Sequence, residues 1–162
     1  MFGFGKKISE DEHVYAPVTG EVIPLDKVSD PVFAQKMMGD GYAVEPNASK
    51  IVSPVSGKVT MVQGHAVGLK RFDDLELLVH IGIDTVSLNG KPFTTAVKEG
   101  DIVDAGDDLV TVNWEQVEEA GLPKTTLVLI TNTADKLESI TVHYGRSWSS
   151  KNNASVDYKY SR

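Results

Sequence analysis

From Val14 to about Leu109 the chain is a series of short apolar or alternating runs, cut at close intervals by Gly, Pro, Asp and Asn. A helix needs ten or more residues of 3.6-residue periodicity, whereas a strand needs only about four to eight of alternation, so this punctuation selects an all-β fold. Two of the interruptions match each other. "VYAPVTGEVI" and "IVSPVSGKVT" align with Pro17 over Pro54 and Gly20 over Gly57, at a constant offset of 37 residues. Proline followed by a small polar residue and a glycine suits a strand entering a tight corner, and its recurrence points to an internal duplication.

The remaining segments fit the same class. In "VKEGDIVDAGDDLVTV", Gly100 and Gly106 flank Ile102 and Val103 in a strand-turn-strand pattern. One helix is expected, near 114–120 in "NWEQVEEAGLP": Asn113 caps it, Gln116 sits three residues on as in a capping box, and Gly121 with Pro123 stops it. Trp114, Val117 and Ala120 form its apolar stripe. "TTLVLITN" and "LESITVHYG" return to strands, and "SVDYKY" alternates as a final edge strand. The 162 residues suit one domain over 14–162, preceded by a flexible tail over 1–13.

Composition removes several functions. There is no cysteine, hence no disulfide framework, thiolate metal site or cysteine nucleophile. A net charge of -7 without a clustered basic footprint argues against nucleic acid as a partner. No run of 18 apolar residues would make a transmembrane segment, and "MFGFGKK" lacks the apolar stretch of a signal peptide, so a cytoplasmic protein is expected. Phe2 and Phe4 beside Lys6 and Lys7 offer a lipid contact, against the commoner reading of a frayed end. The initial methionine and the polar tail favour a free-standing protein over a domain cut from a longer permease.

One histidine stands inside an apolar run, "LELLVHIGIDTV". If residues 75–84 form a strand, Leu75, Leu77, Val79, Ile81 and Ile83 share one face and make it core, and His80 falls on the opposite, more polar face with Glu76, Leu78, Gly82 and Asp84. Gly82 leaves space beside the imidazole. The preceding strand, "HAVGL", is joined through "KRFDD", a hairpin connection. An even loop centred between Phe72 and Asp73 sets Leu69 against Glu76, Val67 against Leu78 and His65 against His80, with Cβ atoms about 4.5–5.5 Å apart. An odd loop would shift this register by one. In the even register Val67, Leu69 and Leu78 form a dry rim around the histidines, suited to a protein partner.

Two neutral imidazoles, with an ordinary pKa of about 6.5, supply a nucleophile and a donor at neutral pH, which suits phosphoryl transfer. Two other chemistries compete. His80 and Asp84 have the H-x-x-x-D spacing of zinc ligands and His65 could add a third, but the H-x-H pair of β-sandwich peptidases is missing because position 78 is leucine. Lys36 beside Met37 suggests a biotinyl-type carrier, yet the order is Gln-Lys-Met-Met and the Met-Lys-Met tip is absent. His13 and His143 have no comparable context and read as surface or packing residues.

"LLVHIGIDTV" resembles the phosphorylation-site motif of the glucose-type IIA components of the bacterial phosphoenolpyruvate-dependent sugar phosphotransferase system. "GHAVGL", fifteen residues upstream, is similar to the segment carrying that family's second active-site histidine. "DPVFAQKMMGDGYAVEP", "SPVSGKV", "KEGDIVDAGDDL" and "LVLITN" resemble further family segments in the same order, over roughly Val14 to Gly145; residues 146–162 match poorly. The resemblance implies a cytoplasmic antiparallel β-sandwich built on a duplicated hybrid motif. It implies a phosphotransferase component in which His80 is phosphorylated on Nε2 by the phosphohistidine of the carrier HPr and passes the group to a cysteine of a IIB domain, with His65 assisting. It implies that Val32 and Phe33 dock the partners, alongside Val67 and Leu78 of the dry rim, that Gln63, Asp84 and Val86 line the site, and that regulated permeases or kinases are further partners. Many family members carry threonine at the position of Gln63, whose amide is a different donor. No cofactor is required, and a regulatory or adventitious zinc on His65 and His80 is compatible with the family.

Overall fold

The five residues Thr126–Ile130 are all buried, and the four apolar side chains divide between two apolar clusters. Val128 and Ile130 enter a large one, Leu127 and Leu129 a smaller one. A strand covered on both faces reads as a continuous apolar run, which is why "TLVLI" lacks polar alternation. The computed structural model describes residues 6–132 and, as backbone, the strands at 137–142, 145–147 and 156–160.

In chain order the strands are β1 (Gly20–Pro24), β2 (Asp40–Pro46), β3 (Lys50–Val52), β4 (Gly57–Gln63), β5 (Ala66–Arg71), β6 (Glu76–Ile81), β7 (Phe93–Thr95), β8 (Ile102–Val103), β9 (Asp108–Val112), β10 (Thr126–Ile130), β11 (Leu137–Val142), β12 (Gly145–Ser147) and β13 (Val156–Tyr160). Eight of them form one sheet in the order β12-β1-β2-β10-β6-β5-β4-β8, and β3-β9-β7 form a second. β11 pairs with β13, so "SVDYKY" is a strand as its alternation predicts. All pairings are antiparallel. The large cluster joins the two sheets: Val59, Val67, Leu77 and Val79 of the first meet Ile51, Phe93, Leu109 and Val112 of the second. The result is the antiparallel β-sandwich expected from the sequence.

The duplication is visible in the hydrogen bonding. Tyr15 N donates to Pro54 O at 2.8 Å, and Val52 N donates to Pro17 O at 2.7 Å. Adding 37 to Tyr15 and Pro17 gives Val52 and Pro54, so the repeat exchanges donor and acceptor and the two copies clasp each other about a local two-fold. Gly20 and Gly57, the matched glycines, open β1 and β4. A Cβ on Gly20 would lie 2.1 Å from the Glu45 carbonyl oxygen, and one on Gly57 2.5 Å from that of Lys70, so each corner admits only glycine.

The helix near 114–120 is α2, Trp114–Glu119, with the Asn113 side chain accepting from Gln116 N at 3.3 Å. Its stripe differs from expectation. Val117 is buried and Trp114 packs partly, but Ala120 is exposed and Leu122, beyond the Gly121 stop, packs instead. A second helix, α1 (Pro31–Ala34), was not anticipated; its signal is Asp30-Pro31, with the Asp30 carboxylate accepting from Val32 N at 2.8 Å and proline in the first turn. Among the described residues no helix is long and apolar enough to cross a membrane. Phe2 and Phe4, and His143, lie outside the described residues. His13 is largely exposed and bonds the Asp11 carboxylate through Nδ1 at 2.9 Å.

Candidate functional site

The smaller cluster lies on the face of the large sheet opposite the main core. There Leu127 and Leu129 of β10 and Ala43 of β2 are covered by Leu25, Val28 and Phe33 from the segment between β1 and β2. β6 alternates as predicted. Leu75, Leu77, Val79 and Ile81 point into the main core, and Leu78 packs against the smaller cluster. Ile83, past the strand end, leaves the main core for the smaller cluster. His80 lies in a cross-strand row in which Ala66 and Leu127 are its partners on β5 and β10, and Ala43 follows Leu127 on β2. Alanine and leucine beside the imidazole give it apolar walls, while the ring itself remains partly accessible.

The hairpin register differs from the sequence expectation by one residue. Arg71 N donates to Leu75 O at 2.9 Å and Asp74 N to Arg71 O at 3.0 Å, closing a three-residue loop with Asp74 left-handed at φ 70°. An ion pair fixes that loop: Arg71 reaches Asp73 through Nε at 2.8 Å and through its terminal nitrogen at 2.6 Å, and its other terminal nitrogen donates to the Glu12 carbonyl at 2.6 Å. Val67 therefore faces Val79 and Leu69 faces Leu77, both within the main core. A one-residue slip reverses every side chain, so Val67 and Leu69 are not rim residues and Val67 cannot dock a partner. Only Leu78 of the expected dry rim lies on the His80 face, half-buried.

His65 nevertheless meets His80. β5 begins at Ala66, so His65 belongs to the β4–β5 turn behind Gly64 (φ 36°) and is not bound by strand alternation. Ile81 N donates to the His65 carbonyl at 2.7 Å, anchoring the turn to the end of β6. The two rings stand edge to face with centroids 5.2 Å apart. The Gln63 side chain is exposed, and its contribution to His65 is through the backbone, which hydrogen-bonds the imidazole.

The ring of His80 is oriented by its own chain. Nδ1 lies 2.8 Å from the Gly82 carbonyl oxygen. A carbonyl only accepts, so Nδ1 carries the proton and Nε2 keeps its lone pair. Gly82 has φ 76°, and a Cβ there would lie 2.4 Å from Thr85 Cγ2, so the glycine serves the backbone turn rather than leaving space beside the ring. Buried Thr85 bonds the Ile81 carbonyl and seals the turn. Phe33 packs its ring 5.1 Å from that of His80.

Burial pushes the pKa of His80 below the ordinary 6.5. The Gly82 hydrogen bond opposes that shift, the nearby His65 adds to it, and the Asp30 and Asp84 carboxylates oppose it. Burial likewise lowers His65, against the Gln63 hydrogen bond. Both rings are thus held neutral at pH 7. Asp30, missed as a site residue in the sequence, therefore acts twice, as helix cap and as a charge on His80. Asp84 is exposed and left-handed (φ 63°), and opens a 3-10 turn, Thr85–Leu88, that lifts Val86 into solvent.

Among the described residues the exposed large apolar side chains are Val32 (42%), Met37 (70%), Met38 (44%) and Val86 (61%). All four belong to the two segments that flank His80. Phe33, by contrast, is buried and supports the ring from beneath this apolar surface. For a three-ligand zinc site on His65, His80 and Asp84 the fit is poor. Zinc takes four ligands, and among the described residues no group of three His, Cys, Asp or Glu could hold an ion, so Asp84 does not join His65 and His80. The zinc-protein reading is unsupported.

An antiparallel sandwich that presents paired histidines amid exposed apolar side chains is the architecture of a glucose-type IIA domain. The family model for the phosphoenolpyruvate-dependent sugar phosphotransferase system, EIIA 1, matches residues 12–136, and the chain belongs to that family. It is accordingly a phosphotransferase component. The glucose-specific EIIA component of Staphylococcus aureus (strain COL) is 45% identical over 145 residues, covering 88% of this chain and 87% of the relative. The glucose-specific EIICBA component of Streptococcus pneumoniae is 53% identical over 131 residues, 80% of this chain but 18% of that protein. The solved structure of glucose permease IIA from Mycoplasma capricolum superimposes with a TM-score of 0.77 at 36% identity, covering 94% of this chain and 97% of that one.

Proposed function

We propose that this chain is a cytoplasmic phosphocarrier that takes a phosphoryl group from phospho-HPr onto His80 Nε2 and hands it to a cysteine of a glucose-specific IIB domain. The observation that carries this reading is the 2.8 Å contact from His80 Nδ1 to the Gly82 carbonyl, which leaves Nε2 as the nucleophilic nitrogen. Its lone pair attacks phosphorus as the P–N bond of the donor breaks. In the second step the partner's thiolate attacks and the bond to Nε2 breaks, restoring the neutral ring. The phosphoryl oxygens carry the charge throughout, so a donor facing them lowers the barrier.

His65 fills that role by changing charge. It rests neutral, with one ring nitrogen hydrogen-bonded to the backbone of Gln63. A phosphoryl group arriving within reach favours the imidazolium, whose second N–H then donates to an oxygen. Val32, Met37, Met38 and Val86 provide apolar contact for both partners, and a surface of that character marks a protein interface. Incubation with phosphoenolpyruvate, enzyme I and HPr should add one acid-labile phosphate to the intact chain. A protein that stays unmodified while HPr is phosphorylated would refute the proposal.

A further inference from the structure

Met37 and Met38 are two of the four methionines in the sequence, and both are exposed. They follow α1 directly. Met37 N donates to the Val32 carbonyl at 3.0 Å while Lys36 takes a left-handed φ of 61°, so the chain folds back on its own turn and keeps Met37 beside Val32 and Phe33. Phe33 in turn touches the His80 ring. The two thioethers thus belong to neither core cluster and are exposed on the segment whose Phe33 touches His80. Leucine or isoleucine would supply equal apolar area there; what methionine adds is a flexible, oxidisable sulfur. The chain has no cysteine, and among the described residues Met37 and Met38 are the exposed sulfurs, Met61 being half-buried in β4.

We propose that Met37 and Met38 form a modification site through which oxidants of the hydroperoxide class slow phosphoryl transfer at the neighbouring His80. The inference rests on the phosphocarrier reading above. A sulfur lone pair attacks one peroxide oxygen, the O–O bond breaks, and an S–O bond forms. Sulfur is oxidised by two electrons and the peroxide is reduced; the transferred oxygen gives up its proton to the departing alkoxide or hydroxide, leaving the sulfoxide and an alcohol or water. The sulfoxide oxygen is a hydrogen-bond acceptor, and a partner that buries it against apolar side chains leaves it unsatisfied. The change is reversible, because sulfoxide reductases restore the thioether.

The test compares each protein before and after exposure to hydrogen peroxide, with peptide mapping to locate sulfoxide and single-turnover transfer from phospho-HPr as the readout. Wild type oxidised at Met37 and Met38 should transfer about tenfold more slowly at subsaturating donor, equivalent to about 1.4 kcal/mol of lost association. Saturating donor should recover most of the rate, and methionine sulfoxide reductase should restore it. The Met37→Leu/Met38→Leu variant should keep its own untreated rate after peroxide. Oxidised wild type with an unchanged rate, resistance of both methionines to peroxide, or an equal loss in the double variant would overturn the inference alone. Untreated wild type that accepts no phosphate would overturn the phosphocarrier reading, and this inference with it.

Discussion

His80 Nδ1 lies 2.8 Å from the carbonyl oxygen of Gly82, two residues further along the same chain. The ring is therefore oriented by local backbone, without a carboxylate partner among the described residues, and in the proposed transfer the conformation of Gly82 becomes part of the reaction. At φ 76° this residue is left-handed, and a Cβ would come 2.4 Å from Thr85 Cγ2 and 3.2 Å from the Pro123 carbonyl.

Gly82→Ala should therefore fail twice. Backbone strain and the clash should cost about 1–3 kcal/mol of stability, read by urea denaturation. Displacement of the carbonyl should free the ring, so the folded fraction should accept phosphate at least about tenfold more slowly, a factor worth about 1.4 kcal/mol in the barrier. Wild-type transfer in a fully folded variant would show that the Gly82 bond does not orient the ring.

His65→Gln separates the two half-reactions. Glutamine keeps a donor but cannot become cationic, so phosphate uptake from phospho-HPr should persist while onward transfer to the IIB cysteine falls by about a hundredfold, within the usual range for a lost acid-base group. Rapid-quench assays of each half-reaction measure this. Equal losses in both steps would assign His65 to ring positioning alone.

The histidine pair also sets a pH dependence. Both imidazoles have pKa values lowered by burial, so as pH falls the folded protein protonates them later than the unfolded chain does. Stability should decline as pH drops below about 6.5, where unfolded imidazoles take up protons first. Single-turnover phosphate uptake should stay level from alkaline pH down to about 6.5 and fall only beyond it. Histidine titration by NMR should place the His80 midpoint below 6.5, and a midpoint above it would contradict the account. Phosphorylation should then raise the His65 midpoint, because an adjacent anion favours the imidazolium.

Much of this site is legible in the sequence, and the parts that are not have definite causes. Two-residue alternation assigned Leu75 to Ile81 correctly because β6 is a regular strand with one face in the main core. The hairpin register differs by one residue from the even-loop count because Arg71 and Asp73 fold the loop around a buried ion pair and Asp74 adopts a left-handed backbone, neither of which residue counting encodes. His65 and His80 come together for a different reason from the expected one: His65 lies in a turn, outside strand alternation. α1 escaped notice because four residues show no periodicity, although Asp30-Pro31 is a recognisable start. The role of Met37 and Met38 depends on how the β1–β2 connection covers the smaller cluster, which no local pattern specifies.

The ion pair that misled the register makes its own prediction. The side chains of Arg71 and Asp73 are 1% and 8% exposed. Burial alone would raise the Asp73 pKa, but hydrogen bonds and charge from Arg71 outweigh it and hold the carboxyl below its usual value. Its stabilising contribution is present above the ordinary carboxylate pKa of about 3.9 and is lost as pH falls through the lower folded value. Asp73→Ala removes the carboxylate from a buried guanidinium that keeps its bond to the Glu12 carbonyl, and should cost about 3–5 kcal/mol in denaturation at pH 7. The penalty should shrink towards strongly acid pH, where wild type has also lost the charge. A cost under about 1 kcal/mol would mean that the loop relaxes to hydrate Arg71.

In the proposed cycle the phosphoryl group rests on one atom, His80 Nε2. The most direct test is to phosphorylate the 15N-labelled protein with phosphoenolpyruvate, enzyme I and HPr, and to identify the substituted ring nitrogen by phosphorus-coupled NMR. Phosphate is expected on His80 Nε2, with Nδ1 still protonated against Gly82. Phosphate on His80 Nδ1, or on His65, His13 or His143, would contradict this assignment.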